Sequence, residues 1–518
     1  MDKDRLRREY RRRGYWLPET LPQRFGRVCA ENRDRVALVD GDRRLTFTDM
    51  ETLVGRMAAH LTLLGVGPGD VVSWQLPNWW EAVVVHHATV RLGAVSNPLS
   101  ATFRARELRF VLAEARPKVL FAPWSFRGFG HADLAVRLRK EIAGLEHVVS
   151  VRGGSPETLG SDALLGEASG GELPRLPGDP SAVALLLYTS GTTGDPRGVL
   201  HSHETLLYEI RSLREVHELT TADRYLGGAP VAHVAGLVYG VLMPFVLGTS
   251  TVFLDRWDPG QALELIERER ATFQTGPPTL LQTLAFEPSA AWSDVSSFRL
   301  FSTGGATIAP DMVREAEHRL GCVVKRAYGS TEAPTLTATG VDDSPEARLE
   351  TDGRSIGPAE IRIVDGEIQA RSPEVFLGYR NPALDVEAFD EEGWFRTGDL
   401  GEIGGDGCLR VTGRLNDVII RGGENISARE IEDLLLEHPS VADVAVVGVP
   451  DPVLGERACA FVVPRDGAIV TFEQVVGFLR EREIAPQKLP ERLELRPALP
   501  KTATGKVMKA ALRAELTT

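Results

Sequence analysis

The chain has 518 residues, 43% of them hydrophobic and 25% charged, which is enough for about three to four domain-sized units and too apolar for disorder on a large scale. A formal net charge of −13 argues against a nucleic-acid partner, because such partners are held mainly through positive charge. Four scattered cysteines, Cys29, Cys322, Cys408 and Cys459, form no Cys-x-x-Cys pair, which argues against a disulfide framework or a zinc site and points to a reducing cytoplasm.

The N-terminal arm, residues 5–13, is the locally basic stretch, but no apolar segment follows it, so a secretion signal is not indicated. From Leu45 to about Leu400, helical patterns alternate with short apolar runs, as at residues 71–76, 119–122, 251–254 and 299–302. That alternation predicts α/β layering. Gly65-Val-Gly-Pro-Gly69 lies between a helical pattern and a strand, the wrong order for a dinucleotide fingerprint. His86-His87 and His201-Ser-His203 lack the cysteine or carboxylate partners of a metal site. Residues 153–180, rich in Gly, Ser, Pro and acidic side chains, read as a linker between two lobes.

Residues 183–187 form an apolar run that predicts a buried strand, and Ser202 caps a segment whose Leu206, Leu207, Ile210, Leu213 and Val216 recur at helical spacing. Between them lies Tyr188-Thr-Ser-Gly-Thr-Thr-Gly-Asp-Pro-Arg-Gly-Val199, expected as a loop from strand to helix. Its glycines, Gly191, Gly194 and Gly198, allow close approach to an anion, and Thr189, Ser190, Thr192 and Thr193 offer hydroxyl donors beside backbone N–H groups. It is a phosphate-loop candidate without the Walker spacing.

Residues 231–254 are apolar enough to be tested as a membrane span, but His233, Gly236, Gly240, Pro244 and Gly248 punctuate them. A buried helix followed by a core strand is the expected structure. After Gly413 the pattern becomes smaller and α+β: strands at 418–420, 441–449 and 458–463, helices at 428–436 and 471–482, then Lys501-Thr-Ala-Thr-Gly-Lys506 before a terminal helix.

With these segments the chain resembles the acyl-adenylate-forming (AMP-binding) family, which includes acyl-CoA synthetases, the adenylation domains of peptide synthetases and firefly luciferase. The resemblance covers nearly the whole length. It rests on ordered motifs: residues 188–199, Pro230-Val-Ala-His-Val-Ala-Gly236, Ser302-Thr-Gly-Gly-Ala306, Tyr328-Gly-Ser-Thr-Glu332, Gly393-Trp-Phe-Arg-Thr-Gly-Asp399, Gly413-Arg-Leu-Asn-Asp417 and Gly505-Lys506. The arm at residues 10–16 and Leu254-Asp-Arg-Trp-Asp258 are similar to synthetases of cyclohexanecarboxylate-type and medium-chain acids.

The resemblance implies an α/β fold in two parts: a large N-terminal domain of layered lobes, residues 1–415, and a small mobile α+β domain, residues 416–518, that carries the catalytic lysine. It also implies the reaction, in which a carboxylic acid is joined to the α-phosphate of ATP with loss of pyrophosphate, and the acyl group then passes to CoA. The loop residues Thr189 to Gly194 with Arg197, the segment Gly329, Ser330 and Thr331, and Gly304, Gly305, Ala306 and Tyr328 around adenine are implied to bind ATP.

By the same resemblance Glu332 holds Mg²⁺, a hard cation suited to carboxylate oxygen, and Asp399 takes the ribose hydroxyls. Arg414 donates to ribose or phosphate, and Lys506 contacts carboxylate, ribose and α-phosphate. His233 gates an acid pocket whose wall includes Leu237, Val238, Tyr239, Thr303 and Pro334, all apolar or small, which favours an aliphatic, alicyclic or aryl acid over an amino acid. Asn416 is the implied pivot, and Arg421, Gly422 and Gly423 border the pantetheine tunnel.

No carrier-protein domain follows the small domain in this sequence, so the thiol is expected from outside: free CoA first, a separate carrier protein second. Other acceptors, nitrite in place of a carboxylic acid, and a nucleotide-binding module without turnover are the alternatives. No nucleic acid and no integral membrane segment are expected.

Two positions depart from the family pattern. Asn416 stands where Asp or Lys is usual, and Arg197 where the loop usually has Lys. Arginine keeps the charge but presents a planar fork instead of a compact ammonium. Arg197→Lys is therefore expected to change the rate of pyrophosphate release or its dependence on ATP concentration; a profile superimposable on wild type sinks that expectation.

Overall fold

The computed structural model describes residues 3–166, 178–189, 196–305, 310–421, 424–452, 454–482, 484, 488–502 and 505–516. Two large sheets and the helices between them build the N-terminal part. One has nine strands. Its centre is parallel: Val36–Asp40, Ser250–Phe253, Arg224–Gly227, Phe273–Gly276, Leu300–Gly304 and Val323–Tyr328 lie side by side. The other has eight strands, with Val71–Trp74, Val95–Pro98, Val119–Pro123 and His147–Val151 parallel at its core.

Strands buried on both faces read as continuous apolar runs, which is why these segments stand out in the sequence. The largest apolar cluster joins the two sheets through the helices Leu21–Glu31, Trp80–Arg91 and His203–Val216. Every residue from Trp80 through Val90 is buried. His86 and His87 belong to this interior, bonded to Ser96 Oγ and to the Val241 carbonyl at 3.0 Å each.

Residues 153–180 do not separate two lobes. Strand Leu159–Gly160 pairs with His147–Val151, and helix Ser161–Leu165 packs Leu164 into the core. The strands on either side of the stretch, His147–Val151 and Val183–Thr189, belong to the same sheet; residues 167–177 lie outside the described residues. Along the described residues 153–166, polar composition marked exposure, not a domain boundary.

The loop after Thr189 also differs from expectation. It joins two antiparallel strands, Val183–Thr189 and Arg197–Ser202, with Thr189 opposite Arg197. The helix follows only after the second strand, His203–Val216, where Ser202 Oγ accepts from the Thr205 N–H at 3.2 Å. The run Arg197-Gly-Val-Leu-His-Ser202 is too short and mixed to announce itself as a strand; pairing with Val183–Thr189 and Gly378–Tyr379 makes it one.

Residues 231–254 form a broken buried helix and a core strand. Val234–Gly236 leads into a π-helical turn, Leu237–Leu242, and then into Met243–Leu247, ended by Gly248 at φ +76°. Strand Ser250–Phe253 follows. Among the described residues no helix is long and apolar enough to cross a membrane.

A four-stranded antiparallel sheet, Glu360–Val364, Glu367–Arg371, Phe395–Ile403 and Leu409–Arg414, completes the large part. Beyond it lies the small α+β domain, with the long pair Val441–Asp451 and Gly455–Pro464 at its centre. Side chains alternate along this pair. Val444, Val446, Ala458 and Ala460 pack with residues of the helices Ala428–Leu436 and Phe472–Glu481, while Ala445, Val447, Cys459 and Phe461 pack with Leu499 and Leu512. Helix Lys509–Leu516 is tied back by Lys509 to Glu432 at 2.8 Å and by Arg513 to Asp417 at 2.9 Å.

Candidate active site

The parallel strands of the nine-stranded sheet end at Gly227, Gly276, Gly304 and Tyr328, and their carboxyl ends open into a cleft of about 2040 Å³. Ligands of open α/β sheets bind at such ends. The four-stranded sheet closes one side and the loop bearing Lys506 reaches in from the small domain, so residues from Pro77 to Met508 share one wall system.

Most residues singled out from the sequence meet there. Thr189, Arg197, Gly304, Gly305, Tyr328, Gly329, Ser330, Thr331, Glu332, Asp399, Arg414 and Lys506 line the cleft, together with His233, Val238, Tyr239, Thr303 and Pro334. Ser190, Gly191, Thr192, Thr193, Gly194 and Ala306 lie outside the described residues.

Strand pairing sets the first cluster. Asp399 and Arg414 are opposite each other on adjacent antiparallel strands, and Arg414 Nε lies 2.7 Å from Asp399 Oδ1. The Tyr328 hydroxyl donates to Asp399 Oδ2 at 2.9 Å. Each carboxylate oxygen keeps a lone pair for a further donor. Burial and the neighbouring Asp399 charge hold the Tyr328 phenol well above its ordinary pKa, so it stays a donor.

Glu332 forms the second cluster. Tyr379 donates its hydroxyl to Glu332 Oε1 at 2.9 Å, and the Arg197 guanidinium lies 5.8 Å from the Tyr379 ring centre. The backbone beneath is fixed: Glu332 O accepts from the Phe376 N–H at 2.8 Å, and His201 Nε2 bonds Thr331 O at 2.8 Å. His201 thus supports the backbone beside Glu332. Among the described residues no group of three His, Cys, Asp or Glu could hold a metal by itself. One carboxylate at a cleft wall fits Mg²⁺ all the same, since that ion takes few protein ligands and completes its shell with phosphate and water.

Lys506 is the third. Its loop closes on itself, with Lys506 N–H donating to Thr502 Oγ1 at 3.2 Å and Thr502 N–H to Lys506 O at 2.8 Å, and Gly505 at φ +82° makes the reversal. A Cβ at Gly505 would lie 3.2 Å from Thr279 Oγ1, so this loop is seated against the large domain. Burial, then repulsion from Arg414, lowers the Lys506 pKa to about 8, with Asp399 and Asp417 opposing the shift. Water reaches His233 through the cleft, but protein surrounds it. That burial, with the Lys506 charge, lowers its pKa to about 4, so the imidazole is neutral at pH 7.

The acid-pocket residues divide. Val238 and Tyr239 line the cleft from the π-helical turn, but Leu237 is fully buried in the apolar core and does not. One turn of helix cannot present three consecutive side chains to one side. The wall is also less apolar than expected, because Glu209 and Thr335 belong to it. Glu209, Thr335 and Tyr379 were not singled out in the sequence; an acid at 209 between Leu206, Ile210 and Leu213 was the available signal.

Arg421 is not brought to the cleft. It pairs with Glu491 at 2.8 Å on the small domain, and Gly422 and Gly423 lie outside the described residues. Asn416 sits in the short turn Leu415–Asp417, directly after Arg414 and Leu415, which line the cleft.

A large α/β domain followed by a small C-terminal domain is the arrangement of adenylate-forming enzyme structures. The chain belongs to the AMP-binding enzyme family, which matches residues 25–380, with the AMP-binding enzyme C-terminal domain matching residues 430–506. It is an AMP-forming ligase. It is 34% identical over 530 residues to a medium-chain fatty-acid–CoA ligase of Escherichia coli (strain K12), covering 99% of this chain and 93% of that protein. The crystal structure of ATP-bound MatB from Rhodopseudomonas palustris matches with a TM-score of 0.86 at 29% identity, over 96% of this chain and 99% of that one. The amide bond synthetase McbA from Marinactinospora thermotolerans matches with a TM-score of 0.84 at 29% identity, over 96% and 99%.

Gly329 has no room for a side chain, since a Cβ there would come within 2.0 Å of the Pro334 carbonyl oxygen. Gly329→Ala is expected to cost more than about 2 kcal/mol of stability, read as a lower denaturation midpoint in urea; an unshifted midpoint contradicts this packing.

Proposed function

We propose that the cleft joins a carboxylic acid to the α-phosphate of ATP and that the acyl group then passes to the thiol of CoA. The supporting observation is the convergence of Lys506, Arg414 and Asp399 on the cleft that also holds His233, Val238 and Tyr239. In the first step a carboxylate oxygen of the acid bonds to the α-phosphorus and the bond to pyrophosphate breaks. In the second the thiol sulfur bonds to the acyl carbon, AMP leaves, and the thiol proton is lost to solvent.

In this reading the free lone pairs of Asp399 take ribose hydroxyls, while Tyr328, Gly304, Gly305 and Ala306 border the base. Thr189, Ser190, Gly191, Thr192, Thr193, Gly194 and Arg197 hold the phosphates, next to Gly329, Ser330 and Thr331. Glu332 would hold Mg²⁺, which supplies charge neutralisation to the phosphate oxygens when bound. Tyr379 leaves one Glu332 oxygen free for it. Lys506 meets the negative charge that develops between acid and α-phosphate. The neutral His233 ring gates the acid end.

Residues 416–518 act as the mobile unit, pivoting at Asn416. With Lys506 in the cleft, Arg421 pairs with Glu491 and does not line it, and a turn of the small domain would exchange Lys506 for the Arg421, Gly422 and Gly423 edge for thiol transfer. Similarity to the E. coli fatty-acid–CoA ligase supports CoA as acceptor. Similarity to McbA, an amide bond synthetase, favours an amine as the second reading, and a carrier-protein thiol is the third.

The test is acid-dependent ATP–pyrophosphate exchange over aliphatic, alicyclic, aryl and amino acids with nitrite included, followed by mass spectrometry of products formed with CoA. Exchange with a carboxylic acid and a CoA thioester are expected; exchange with no member of the panel overturns adenylation, and exchange without thioester overturns CoA as acceptor. A preorganised cation at developing charge contributes about 3 to 4 kcal/mol, so Lys506→Ala is expected to slow adenylation by about 10² to 10³. Thioester formation from supplied acyl-adenylate should fall much less; equal losses in both steps contradict the role given to Lys506.

A further inference from the structure

Helix His203–Val216 turns an apolar seam into the core, with Leu206, Ile210 and Leu213 each fully buried. Glu209 falls in that seam, one turn after Leu206 and one before Leu213, and it is 1% exposed. An acid at such a position is rare unless something pairs with it. Its Oε1 accepts from the Thr335 hydroxyl at 2.7 Å, while its Oε2 has no partner. Glu209 lines the cleft, and so does Thr303, whose hydroxyl is also buried without a partner.

Both unpaired groups line the same cleft as the acid-pocket residues Val238 and Tyr239. Tyr239 has its hydroxyl fixed to His217 Nε2 at 2.7 Å. The reacting end is marked by Lys506, whose charge acts on His233; the charge that acts on Glu209 is that of Glu374, a second buried acid bonded to Ser372. Burial, then the neighbouring Glu374, pushes the Glu209 pKa well above the ordinary carboxyl value, which favours its protonated form.

We infer that the acid pocket takes a carboxylic acid bearing an uncharged oxygen, hydroxyl or keto, at the end remote from its carboxylate, read by Glu209 Oε2 and the Thr303 hydroxyl. A purely hydrocarbon tail leaves both groups buried and unpaired, and that is where discrimination arises. An ammonium tail would need Glu209 ionised beside Glu374. The inference rests on the reading of the cleft as an acid-activating site.

The test compares matched acids: octanoate against its terminal hydroxyl, keto and amino counterparts, and cyclohexanecarboxylate against its hydroxy and oxo derivatives. Two readouts are taken, kcat/KM in ATP–pyrophosphate exchange and affinity by calorimetry. Wild type is expected to favour the oxygenated member by about tenfold or more, mainly through KM. Glu209→Leu should bring that ratio to about one or below, and Glu209→Gln, which keeps a donor and an acceptor, should retain part of it.

A wild-type ratio near one, a ratio unmoved by Glu209→Leu, or preference for the amino acid overturns the inference. If no acid supports exchange, the adenylation reading fails, and the calorimetric preference still decides what Glu209 reads.

Discussion

An ammonium group has to be carried into a protein cleft by a separate domain and kept charged there. Burial works against that charge. Lys506 holds a pKa near 8 because Asp399 and Asp417 offset part of the desolvation, and Asp399 is itself fixed by Arg414 across a strand pair and by Tyr328. The cation thus depends on the antiparallel register that sets Asp399 against Arg414. It also depends on the self-bonded loop that reverses at Gly505.

That dependence links fold to function. The parallel strands deliver Thr303, Gly304 and Tyr328 to one edge, the four-stranded sheet delivers Asp399 and Arg414, and the small domain delivers Lys506. None of the three parts makes a site alone. A charge arriving on a separate domain can also leave, which is the physical basis for proposing one arrangement for adenylation and another for thiol transfer. Arg421, the edge proposed for the second arrangement, pairs with Glu491 and does not line the cleft.

Much of this was legible in the sequence, for stated reasons. Buried parallel strands are continuous apolar runs, and the helix at Ala428–Leu436 and the strand pair after it have clear periods. Residues 153–180 were misread because polar composition reports exposure and not topology. The strand Arg197–Ser202 was missed because its pairing is non-local. Leu237 was assigned to the pocket by adjacency, and the π-helical turn directs it into the core. Glu209 was invisible as a site residue because no motif contains it; only its place in an apolar seam marked it.

The two-seat account can be tested by locking one seat. The implied pivot, Asn416, lies in the short 3₁₀ turn Leu415–Asp417, whose backbone angles suit a proline. Asn416→Pro, which stiffens that pivot, should still support acid-dependent ATP–pyrophosphate exchange but should form almost no thioester with CoA. Thioester formation at the wild-type rate would contradict the account.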